Sequence, residues 1–125
     1  MRKRKGYFFS SEDSSDERRA VQAWQILVGM AMNRQTTTYL GLSMLMFGKP
    51  APGVLAYILG HVAYYCKQEG YPQLNAIVVG KGRGTPGRGK PPALVSNDVE
   101  REKVYAYNWY NVWPPTKEEL AQAWD

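Results

Sequence analysis

The chain has 125 residues, 44% of them hydrophobic, and 16 Lys and Arg against 11 Asp and Glu leave it a net charge of +5. That length supports one compact domain with a core of its own and hardly two, and the modest positive excess favours nucleic acid or another acidic partner. A single cysteine, Cys66, excludes an internal disulfide framework and a multi-cysteine zinc site, and no apolar run approaches the roughly 20 residues of a membrane span or the roughly 7–15 of a signal-peptide core, so a cytoplasmic protein with no membrane partner is expected.

Residues 1–13 mix basic residues, serines and acids around Tyr7, Phe8 and Phe9 with no sustained period, and are expected to be a flexible arm preceding one domain over 14–125. Ser14 and Glu17 have the spacing of a capping box, and Ala20, Val21, Trp24, Leu27, Val28 and Ala31 then recur at helical spacing, which predicts a first helix. Thr36, Thr37 and Thr38 favour extended backbone, and Thr38 can cap a second helix that carries Tyr39, Leu42, Leu45 and Met46 and stops at Gly48. Pro52 suits the first turn of a third helix, whose buried stripe is Val54, Leu55, Ile58, Leu59, Val62 and Ala63 and whose end is marked by Gly70 and Pro72.

Beyond it, Asn75 to Val79 read as a strand that runs into GKGRGTPGRGK, where Gly80, Gly82, Gly84, Gly87 and Gly89 free the backbone and Lys81, Arg83, Arg88 and Lys90 project charge from it. Such a segment suits an anion. ALVSNDVERE offers a short turn or helical piece, VYAYNWYNVW alternates as a second strand that can pair antiparallel with the first, and Thr116 with Glu119 caps a last short helix after Pro114 and Pro115. The fold class expected is therefore α+β: a winged helix-turn-helix of three helices, a two-stranded ribbon with a glycine-rich basic wing, and a short C-terminal helix.

Three stretches in order strengthen that reading. TTTYLGLSMLMFGKP (36–50), AYILGHVA (56–63), and NAIVV (75–79) followed by GTPG (84–87) resemble motifs of the C-terminal domain of alkylguanine-DNA alkyltransferases and their non-enzymatic alkyltransferase-like relatives. The resemblance covers about residues 20–90 and implies a helix-turn-helix on duplex DNA that senses a damaged or flipped base. Tyr39 and Gly60 match the family's residues at their positions. Asn75 stands where the family has its alkyl-accepting cysteine, Ala76 where it has the activating histidine, and Tyr57 where it has the arginine that props open the base stack. Neither asparagine nor alanine can act as an activated nucleophile, so no enzyme activity and no cofactor are expected.

The DNA-binding residues expected are Thr38, Tyr39, Gly53, Tyr57 and His61 on the helix pair, with Lys81, Arg83, Arg88 and Lys90 on phosphates. From Pro50 to Cys66 the third helix has no Lys or Arg, so base readout through arginine is missing. Tyr57, His61, Tyr64 and Tyr65 are instead available for stacking or for the core. His61 and Cys66 are five residues apart, about 140° around a helix, and do not face each other. Cys66 reads as core and His61 as partly exposed. Glu100, Glu102, Glu118 and Glu119 read as solvated. Gly82, Gly84 and Gly87 match a dinucleotide fingerprint, but Pro86, Pro91 and Pro92 deny it the helix it needs. A second reading puts the same scaffold in another class, a protein-binding module or inhibitor from a mobile element, resting on the aromatic residues from Tyr105 to Trp124.

Overall fold

The computed structural model describes residues 16–80 and 95–123, with the side chains of residues 16 and 17 left out. Chain order is α1 (Asp16–Met32), β1 (Thr37–Thr38), α2 (Tyr39–Phe47), α3 (Pro52–Glu69), a 3-10 turn (Leu74–Ile77), β2 (Val78–Val79), α4 (Asp98–Ala106), a second 3-10 turn (Trp109–Asn111) and α5 (Lys117–Gln122). The described residues thus form a mostly helical small domain of five helices with a short two-stranded sheet. The expected arm (1–13), the Ser14 cap and the glycine-rich wing lie outside the described residues, which lack 1–15 and 81–94.

Local chemistry sets most boundaries. The Thr38 side chain accepts from Gly41 N to start α2, and Gly48, in the left-handed region at φ 74°, ends it by donating its N–H to Met44 O. Gly41 has a different reason to be glycine: a Cβ there would stand 2.8 Å from Thr37 Oγ1, because β1 folds back against the helix it precedes. Thr116 and Glu119 form the reciprocal capping box of α5. α1 ends instead on Arg34, at φ 55°, where the guanidinium spans the Glu102 carboxylate at 3.0 Å and lies 4.9 Å over the Tyr105 ring.

The expected ribbon is not formed. Val78 and Val79 pair with Thr37 and Thr38, in parallel, so the sheet joins the approach to α2 with the segment after α3. VYAYNWYNVW is not a strand: its first residues finish α4, and Trp109 sits in a 3-10 turn. Asn97 caps α4 by accepting from Glu100 N, with Asp98 and Glu100 in the first turn, and that helix start outweighs the alternation that follows. One cluster of buried side chains unites the elements, with Leu27, Leu55, Ile58, Leu59, Leu74, Ile77, Val104, Trp109 and Leu120 at its centre. Arg19, nearly buried, reaches from α1 to the end of α2, where Nη1 donates to Met46 O at 2.8 Å and the guanidinium lies 4.4 Å over the Phe47 ring. Burial lowers the pKa of this guanidinium from its ordinary value.

Candidate nucleic-acid interface

α2 and α3 are bent by 94° at a break of four residues, Gly48 to Ala51. Gly48 makes the break by ending α2, and Pro52 restarts the helix in a first turn that needs no N–H from it. No side chain caps the start of α3 at Ala51, and its first turn holds no acid. Gly53 and Val54 are exposed there, so Val54 is not part of the buried stripe expected of it, and Tyr57, 45% exposed, follows one turn later on the same face. Thr38 and Tyr39, at the start of α2, are half-buried. Burial pushes the Tyr39 phenol up to about 12.

The expected residues separate when placed in the fold. His61 is buried rather than partly exposed, with Nδ1 3.0 Å from Leu120 O. The α5 backbone covers it, and its ring meets Tyr57 edge-on at 5.2 Å. Tyr65 belongs to the core, where it meets Trp24, while Tyr64 is half-buried. Cys66 is fully buried, and desolvation pushes its thiol up to about 12, which leaves it a neutral core residue with no thiolate chemistry. Glu100 is not solvated as expected: its Oε2 accepts from Gln73 N at 2.8 Å. Lys81, Arg83, Arg88 and Lys90 lie outside the described residues.

What the sequence did not signal is the frame that holds the two ends of that basic segment together. Val95 N donates to Gln73 Oε1, and Asn75 Nδ2 donates to the same oxygen and to Val95 O. Ser96 Oγ bonds the carbonyls of Ala76 and Val78, and Arg101 Nη1 donates to Ala76 O at 2.9 Å and to Ser96 Oγ. Asn75 is thus 2% exposed and a structural amide. Its Oδ1 has no hydrogen-bond partner among the described residues.

Charge divides the chain in the same way. The described residues contain eight Lys and Arg and eight Asp and Glu, so the positive excess resides in the segments outside them. The outer side of α2 is apolar, with Leu40 and Met44 each 47% and Leu45 61% exposed. No group of three or more His, Cys, Asp or Glu among the described residues is placed to hold a metal ion. No single helix among them is long and apolar enough to cross a membrane. Comparison with models of protein families, with curated proteins and with solved structures finds no match.

Proposed function

We propose that the chain is a non-enzymatic DNA-binding protein that docks α2 and α3 on duplex DNA as a helix-turn-helix, with the basic segment after β2 as a wing on the phosphates. The observation that carries this reading is the 94° crossing of α2 and α3 about a four-residue, glycine-containing turn, the geometry by which such pairs set a second helix into a groove. Gly53, Val54 and Tyr57 are the residues that α3 offers there. Thr38 and Tyr39 add backbone contacts at the start of α2. Lys81, Arg83, Arg88 and Lys90 supply charge that the balanced body lacks. The alkyltransferase-like part of the reading gives Tyr57 the role of a wedge at a damaged or flipped base, where the cost of unstacking is lowest. It includes no alkyl transfer, because Asn75 offers no nucleophile.

A titration with salt tests it. Each charge that neutralises a phosphate adds about 0.9 to the slope of log affinity against log salt. Replacing Arg83 and Arg88 together by alanine is expected to lower that slope by somewhat less than about 2 and to weaken all duplexes alike. Tyr57→Ala is expected to weaken lesion-bearing duplex more than intact duplex. An unchanged slope in the double variant removes the wing, and equal losses on both duplexes remove the wedge.

The apolar outer side of α2 favours a second reading, a protein-interaction module or inhibitor, because Leu40, Met44 and Leu45 offer a phosphate backbone nothing. A stable protein complex insensitive to salt, with no measurable duplex affinity, selects that alternative.

A further inference from the structure

On another part of the molecule, a cavity of about 500 Å³ opens between α1, which contributes Trp24 and Val28, and the segment after α4, which contributes Trp109, Tyr110, Trp113 and Pro114. None of its lining residues is charged. Trp113 is 89% and Tyr110 67% exposed, an unusual amount of aromatic surface to leave in water. The occupant that fits is apolar and aromatic, and the chain itself carries such a segment within reach.

We propose that this groove receives the chain's own Phe8 and Phe9, which tether the basic stretch Arg2 to Lys5 to the folded body. Phe9 precedes Asp16, the first residue of α1, by seven residues, an extended reach of about 23–25 Å. Trp24 and Val28 lie eight and twelve residues into α1 from Asp16, about 12 and 18 Å along the axis. A chain that doubles back along α1 therefore reaches the groove with residues to spare for the turn. The intervening Ser10-Ser11-Glu12-Asp13-Ser14-Ser15 has no apolar side chain, so the anchor in this stretch is the aromatic one. A neutral groove also selects Phe8 and Phe9 over the four adjacent cations, which remain in solvent. The proposal stands apart from DNA binding by α2 and α3, and either can fail without the other.

The test is paramagnetic broadening in the full chain with Gly6→Cys carrying a nitroxide, since buried Cys66 escapes the label. The expected result is broadening of the Trp113 indole N–H and Val28 methyl signals, lost when Phe8→Ser and Phe9→Ser are added. Those two residues precede every described element, so their replacement leaves the core contacts in place. Groove signals that stay sharp, or broadening that survives the double substitution, overturn the proposal. Broadening that appears only between tagged chains and isotope-labelled untagged chains assigns the groove to a second copy and overturns it equally.

Discussion

Trp109 and Trp113 are four residues apart in the chain, yet one is 2% exposed and the other 89%. Trp109 donates its indole N–H to Val104 O at 2.8 Å and meets Trp24, Tyr71 and Tyr107 at centroid distances of 5.6, 6.0 and 4.8 Å. With Tyr65 against Trp24, these rings close the side of the core that α1, α3 and the post-α4 segment share. Trp113 has left that turn and stands at the rim of the groove beside it. The difference teaches that aromatic content near the end of this chain is two quantities, one that holds the fold and one that the fold presents. Composition adds them together; the path of the backbone separates them.

Four substitutions or titrations sharpen or break that division, taken from the largest effect down. Trp109→Ala is expected to destabilise the domain by about 3–5 kcal/mol in urea unfolding, through the cavity it leaves and the loss of one of the two donors, with Tyr107 N, to the Val104 carbonyl. A loss near that of a surface site would dissolve the distinction. Arg19→Met keeps an apolar stem of similar length but removes the guanidinium from over the Phe47 ring and leaves Met46 O without its donor, and about 1–3 kcal/mol is expected by the same measurement. The third test is alkaline. Burial raises the Tyr65 phenol to about 12 from an ordinary 10.0, so the folded state holds its proton more tightly than the unfolded state. Its contribution is complete below the unfolded pKa and is lost as pH rises from about 10 to about 12. Tyr65→Phe is expected to flatten the fall of unfolding free energy in that window by at most about 1.4 kcal/mol per pH unit. Trp113→Ala should change stability by less than about 0.5 kcal/mol; a larger loss would make the rim part of the core.

The helical half of the fold was legible because its signals are local. Thr38, Gly48, Pro52, Gly70 and the Thr116–Glu119 pair each act within a turn or two of themselves, and they mark the boundaries of α2, α3 and α5 in the structure. What misled was non-local or too short to show a period. A two-residue strand has no alternation to read, and the pairing of Thr37–Thr38 with Val78–Val79 joins residues 41 positions apart. VYAYNWYNVW showed alternation, but Asn97 had already committed the chain to a helix reaching Ala106. His61 reads as partly exposed from α3 alone and is buried because α5 packs over it. Of the proposed interface, the helix pair was readable from Thr38, Gly48, Pro52 and Gly70, whereas the bonds among Gln73, Asn75, Ala76, Val95, Ser96 and Arg101 join residues up to 25 apart and left no motif.

That last network frees the sequence it encloses. With Val95 and Ser96 bonded to Gln73, Ala76 and Val78, the two points from which residues 81–94 depart and return are fixed by groups that flank that stretch and lie outside it. Doubling the number of residues between the clamps then adds only about 0.6 kcal/mol of closure entropy. Length and composition there can drift, be trimmed or be exchanged for another segment while α1, α3 and α4 fold as before. The clamp makes this position a socket, in which new contact chemistry can be installed without redesigning the protein that carries it.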